Sequence, residues 1–158
     1  MIHERFEDFA TALPHDGALM GLDLGTKTIG VAVSDGLRTV ATPLETVRRT
    51  KFTADVTALE ALLAARAIAG IVLGLPLNMD GSDGPRLQST RAFARNWARR
   101  IDLPLTFWDE RLSTVAAERA LLEADTTRKR RAEVIDHVAA GYILQGALDR
   151  LQHLGTTA

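Results

Sequence analysis

Apolar positions along the chain fall into short blocks whose period changes, and the changes mark the elements. Residues 18–24, Ala-Leu-Met-Gly-Leu-Asp-Leu, are almost continuously apolar and predict a buried strand. Gly25-Thr26-Lys27 then turns the chain into Thr28–Ser34, a second strand rich in β-branched residues. So short a connection dictates an antiparallel hairpin. A third strand is expected from about 42 to 47, after the Asp35-Gly36 turn. From Phe52 to Ala67 the period becomes helical, with Val56, Leu59, Leu63 and Ala67 on one side. Gly70–Leu75 is an apolar run suited to a central parallel strand covered on both faces. A loop of turn formers, 76–85, leads into a helix from about 86 to 100. Leu87, Thr90, Ala94, Trp97 and Ala98 supply its packing side, and Asp102-Leu103-Pro104 stops it. Leu105–Trp108 is the last strand, Ser113 caps a helix running through Leu122, and a long final helix covers about 133 to 153.

This order, β-β-β-α-β-α-β-α-α, predicts an α/β fold: an antiparallel hairpin meander running into parallel βαβ units, a mixed sheet with helices on both faces. Residues 1–17 read as an acidic lead-in with a short helix ended by Pro14-His15-Asp16-Gly17, and residues 18–154 as a single domain. Composition sharpens the picture only by exclusion. With 46% hydrophobic and 25% charged residues, the 158-residue chain is neither disordered nor unusually polar. It has no cysteine, which removes disulfides, thiolate metal sites and a cysteine nucleophile. No run approaches the ~18 apolar residues of a membrane span, and the opening residues lack the apolar core of a secretion signal. No membrane partner and a cytoplasmic location are therefore expected.

Charge matters more by position than in sum. The net charge is −1, yet residues 1–23 carry one Arg against five acids, whereas residues 86–131 carry ten Arg and one Lys against six. Guanidinium groups suit bidentate phosphate contacts. Arg91, Arg95 and Arg99 form a helical stripe, and Arg128-Lys129-Arg130-Arg131 stands in a basic linker just before the final helix. Both segments could follow a phosphodiester backbone.

Three acids sit where acids are costly. Asp23 interrupts the first apolar strand, and a buried carboxylate there requires a cation, a metal or several donors. Asp109-Glu110 ends the last strand, the position where open α/β sheets place ligands, and adjacent residues face opposite sides, so one of the two can reach a shared site. Asp136 precedes Ala139, Ala140 and Ile143 on a small apolar stripe that should pack closely on the sheet. Together they suggest a carboxylate cage for Mg²⁺ or Mn²⁺, whose hard cations take oxygen ligands. Two such ions could drive in-line hydrolysis of a phosphodiester.

Four segments in order, Gly21–Asp35, Gly74–Ser82, Asp109–Thr114 and Asp136–Ala140, resemble the YqgF family, also called RuvX, the Holliday junction resolvase family. The likeness spans about Gly21 to Leu148. It implies an RNase H-like fold related to the RuvC resolvases and a two-metal-ion nuclease acting in 5′-end processing of pre-16S rRNA. The alternatives are a resolvase-like DNA endonuclease and a catalytically weak RNA-binding ribosome-assembly factor. By motif position the resemblance makes Asp23, Glu110 and Asp136 the catalytic and metal-binding acids. The expected nucleic-acid contacts are Lys27, Asn78, Ser82, Arg111, Arg128, Lys129, Arg130 and Arg131. RNA is the favoured partner, with structured DNA and a ribosomal precursor particle as further partners and the oligomeric state open. The Asp-Leu-Gly-Thr-Lys-Thr stretch is also similar to the first phosphate loop of two-domain ATPases, but a chain of this length supplies only one such domain.

Overall fold

The computed structural model describes residues 1–76, 84–112 and 128–157, with the side chains of the last stretch described from 137 to 155. The predicted loop residues 77–83, with Asn78 and Ser82, lie outside the described residues, as does the helix expected from Ser113 to Leu122. The elements are β1 (Ile2–His3), α1 (Phe6–Ala12), β2 (Ala18–Leu24), β3 (Thr28–Ser34), β4 (Ala41–Arg48), α2 (Phe52–Ala65), β5 (Ile68–Leu75), α3 (Pro85–Ala98), β6 (Leu105–Asp109), a 3₁₀ turn (Glu110–Leu112) and α4 (Arg128–Thr157).

They build a six-stranded sheet in the order β1-β6-β5-β2-β3-β4. β2 runs antiparallel to β3 and parallel to β5, which in turn pairs in parallel with β6. β4 closes the antiparallel side, where Pro43 is tolerated because an edge strand has ladder positions to spare. The meander passing into βαβ units is therefore as expected. On one face Met20, Leu22, Leu24, Ile71 and Leu73 meet Val56, Leu59 and Leu63 of α2 and Phe93, Ala94 and Trp97 of α3. Glu60 ties these two helices together, accepting from Trp97 Nε1 at 3.2 Å and from Arg100 Nε at 3.0 Å. On the other face Leu19, Ala32, Val72 and Trp108 meet Ala139, Ala140, Ile143, Leu144, Ala147 and Leu148 of α4, with Phe9 of α1.

β5 begins two residues early, at Ile68, and β6 runs one residue longer, to Asp109; three larger differences from the sequence reading each have a local reason. α2 stops at Ala65 rather than Ala67 because Ala67 takes a left-handed backbone, φ 50°, which breaks the helical bonding. α4 begins at Arg128, so the basic run forms its first turn and is not a linker; Arg and Lys are good helix formers and no Gly or Pro intervenes. Residues 1–17 do more than lead in. Ile2 and His3 add a parallel strand beside Leu105 and Thr106, the Leu105 N–H donates to the Met1 carbonyl at 3.0 Å, and Phe9 is fully buried. The apolar residues of this acidic segment, not its charges, decide where it goes.

Candidate active site

β2 is flanked by β3 and β5, so its side chains alternate between two covered faces. Met20, Leu22 and Leu24 point to α2 and α3, which leaves Leu19, Gly21 and Asp23 on the α4 side. Asp23 is 2% exposed. Its carboxylate pairs with the Arg86 guanidinium at 4.0 Å, and the same Nη2 donates to the Leu24 carbonyl at 2.8 Å. A cation from the start of α3 thus reaches around the end of β2 to the buried acid, the compensation that burial of a carboxylate demands.

Leu22 lies level with Leu73, which puts Asp23 beside Gly74, and Gly74 is level with Trp108 of β6. The pleat places Trp108 on the α4 side, and Glu110 follows two residues later. Glu110 Oε1 is buried and lies 3.2 Å from the point a Cβ on residue 74 would occupy, with Ile143 Cδ1 closer still to the same point. A carboxylate oxygen and a helix side chain therefore fill the space that Gly74 leaves open. Gly21 does the same one pleat below: a Cβ there would sit 2.6 Å from Leu144 Cβ and 3.1 Å from the Ala140 carbonyl. α4 packs directly on the strand backbones at this end of the sheet.

The two adjacent acids left open by the sequence have separate surroundings. Asp109 accepts from Arg111 Nε at 3.0 Å and Nη2 at 2.7 Å, and from the Arg111 N–H at 2.9 Å. Those guanidinium bonds hold the Asp109 carboxyl below its ordinary range, against the opposing effect of burial. Arg111, expected to contact nucleic acid, is thus engaged by its neighbour. Lys27 is exposed in the β2–β3 turn, and its carbonyl accepts from the Arg49 N–H at 2.8 Å. Asp136 lies in α4 one turn before Ala140, and its side chain, like those of Arg128, Lys129, Arg130 and Arg131, is outside the described residues. Among the described residues no group of three His, Asp or Glu is close enough to hold a metal ion.

Of the α3 arginine stripe, Arg95 and Arg99 are exposed. Arg91 is committed to the N-terminal segment, with Nη1 2.8 Å from Glu4 and the guanidinium 4.9 Å above the Phe107 ring. The sequence reading missed Arg49 and Arg86. The available signals were the Arg48-Arg49 doublet ending a strand and Arg86 one residue after the helix-starting Pro85. It also missed His137, whose Nδ1 lies 3.0 Å from Thr46 Oγ1 and joins α4 to β4.

Known proteins resemble this chain in sequence and in fold. A family model described as "RuvX: Holliday junction resolvase" matches residues 17–150. A Cereibacter sphaeroides protein named "Putative pre-16S rRNA nuclease" is 76% identical over 155 residues, covering 98% of this chain and 97% of its own. A Paracoccus denitrificans protein of the same name is 74% identical over 157 residues, covering 99% of each. Among solved structures, the T. thermophilus RuvC in complex with a Holliday junction substrate superposes with TM-score 0.52 at 15% identity, covering 89% of this chain and 97% of that one. The yeast mitochondrial Holliday junction resolvase Ydc2 gives TM-score 0.51 at 10% identity, with 96% and 88% covered. At such identities the structural likeness shows the fold, which is RNase H-like.

Proposed function

The chain belongs to the RuvX family, and from that premise we propose that it is a nuclease hydrolysing phosphodiester bonds at the 5′ end of precursor 16S ribosomal RNA. The observation that carries the reading is the placement of Asp23 and Glu110 on one face of the sheet, on either side of Gly74, with Glu110 Oε1 in the space a side chain there would fill. This is the carboxyl end of the parallel strands β2, β5 and β6, where open α/β sheets expose their chemistry.

The donor set fits Mg²⁺ or Mn²⁺, because carboxylate oxygens are the ligands hard cations prefer. Asp23 and Glu110 would hold the ions, with Asp136 as the third acid from α4. When bound, such ions polarise a phosphoryl oxygen and lower the pKa of a water. The chain's own residues prepare the rest. Arg86 brings positive charge to the Asp23 carboxylate and so offsets the repulsion an anionic strand meets on approaching acids. Gly21 and Gly74 admit α4 close enough for short acids on helix and strands to converge. The tie of Asp109 to Arg111 leaves Glu110 as the acid at the strand end that turns to the α4 side.

The test is a cleavage panel with Mg²⁺ or Mn²⁺ on a pre-16S 5′ leader, single-stranded RNA and four-way junction DNA, run beside Asp23→Asn and Asp136→Asn. Metal-dependent cutting of the leader is expected from the native chain, with the loss exceeding about 100-fold in each variant. Asp136→Asn should keep its metal-free melting temperature, since it removes one charge from the proposed acid cluster, whereas Asp23→Asn also takes the carboxylate from Arg86 and should melt somewhat lower. Junction cleavage in preference to the leader would move the activity to DNA. Undiminished cutting by Asp23→Asn would overturn the acid assignment.

A further inference from the structure

Immediately beyond Asp23, on the side away from α4, lies a solvent-open cleft of 170 Å³, lined by the apolar Leu24 and Pro85 together with Thr26, Arg49, Arg86 and Ser89. That volume is too small for a nucleoside or a drug-sized ligand and suits a single small group. Two guanidiniums converge on it from separate elements. Arg86 comes from the first turn of α3 and Arg49 from the residue just after β4. Each is anchored by one nitrogen to the same short segment: Arg86 Nη2 donates to the Leu24 carbonyl and Arg49 Nη1 to the Gly25 carbonyl.

Both are oriented from behind as well. Arg49 stands 5.7 Å from the centre of the Phe93 ring and 3.9 Å from Asp55, and Arg86 stands 4.0 Å from Asp23. A guanidinium has five N–H donors, and among the described residues each of these uses only part of that set. Two oriented forks in a cleft the size of one small group, with the hydroxyls of Thr26 and Ser89 beside them, match a tetrahedral oxyanion.

We propose that this cleft binds a backbone phosphate of the substrate strand, next to the scissile one at Asp23, so that Arg49 and Arg86 fix the strand's register on the acids. The inference rests on the nuclease reading for the identity of the strand, and its own evidence is the cleft. It makes Arg49 and Arg86 positioning residues. It also gives Arg86 a double task, since it connects the cleft to the buried carboxylate.

Binding without turnover tests it. The affinity for a single-stranded RNA oligonucleotide is measured by fluorescence anisotropy in EDTA across a salt series, for the native chain, Arg49→Gln, Arg86→Gln and Ser89→Asp. Ser89 is exposed, so Ser89→Asp adds a negative charge to the cleft while both arginine anchors stay in place. A melting curve with inorganic phosphate, against chloride at equal ionic strength, is the second arm.

Each variant should weaken RNA binding and reduce the log–log salt slope by roughly 0.7, the value of one single-strand phosphate. Arg49→Gln combined with Arg86→Gln should reduce it no further, because both arginines serve one phosphate. The rise in melting temperature with phosphate should vanish in the same variants. Unchanged RNA affinity and slope in a folded Ser89→Asp overturns the proposal, whatever the cleavage panel shows. Loss of the phosphate response with RNA binding intact also overturns it, by assigning the cleft to free phosphate. If the native chain cleaves nothing but the slope changes appear, the cleft stands and the nuclease reading fails.

Discussion

Trp97, Phe93, Leu59 and Leu63 cover one face of the sheet with bulk, whereas α4 covers the other with Ala139, Ala140 and Ala147 interleaved with Ile143, Leu144 and Leu148, seated over the strand glycines Gly21 and Gly74. The first face is an ordinary core, in which large side chains interdigitate and two helices are clamped through Glu60. The second exchanges buried volume for proximity. With Gly21 under Leu144 and Gly74 under Ile143, helix and strand backbones approach closely. On the proposed nuclease reading, the bulky face holds the molecule together and the α4 face sets the positions of the acids. Substitutions on the two faces should fail in different ways.

The largest effect on stability belongs to the bulky face. Trp97 is fully buried and donates to Glu60, so Trp97→Ala should cost about 3–5 kcal/mol, chiefly by leaving a cavity. Chemical denaturation measures the cost. Cleavage per folded molecule, taken well below the melting temperature, should stay within a few-fold of native, because the substitution touches no residue on the α4 side. A proportionate fall in turnover of the folded fraction would break the division between the faces.

Gly21→Ala is the converse. One added carbon would lie 2.6 Å from Leu144 Cβ and 3.1 Å from the Ala140 carbonyl, atoms that move only if α4 itself moves. Overpacking of this kind costs about 1–3 kcal/mol, less than the Trp97 cavity. Turnover should nevertheless fall far more than in Trp97→Ala, since on the proposed reading Asp136 must reach the strand acids from α4. Denaturation and single-turnover cleavage on the same preparation give both numbers. A Gly21→Ala chain that is destabilised but fully active would show that close approach serves packing alone.

This contrast also explains what the sequence could disclose. β2, β3 and the packing side of α3 were legible because buried strands and amphipathic helices write their period directly into the chain; Leu87, Thr90, Ala94 and Trp97 are all buried as expected. Asp23 was legible as an acid inside an apolar strand. The partners of the acids were not. Arg86 is far from Asp23 in sequence, and the commitments of Arg91 to Glu4 and of Arg49 to Gly25 are tertiary facts that a pattern of arginines does not contain. The N-terminal strand was missed because two residues are too few to show a period. The choice between Asp109 and Glu110 depends on where the chain turns after β6, which the alternation of strand residues leaves open.

That choice supplies the finest test, and the smallest effect on stability. Arg111 takes Asp109 bidentately, but the pair is part-exposed, with side chains 34% and 21% accessible, so Asp109→Asn should cost less than about 1 kcal/mol. Its pH signature has a definite sign. The folded Asp109 carboxyl titrates below its unfolded counterpart, so the contribution is present above the ordinary aspartate range and is lost as pH falls through the lower, folded value. Asp109→Asn should therefore differ from the native chain at neutral pH and converge with it in acid. Glu110→Gln should do the reverse on both counts: stability held or slightly raised, because a charge leaves the proposed acid cluster, and metal-dependent cleavage lost. If Asp109→Asn abolishes cleavage while Glu110→Gln leaves it intact, the acids exchange roles. The Arg111 pair would then be a resting arrangement that must open before substrate is cut, and the α4 side would contribute Asp23 and Asp136 without Glu110.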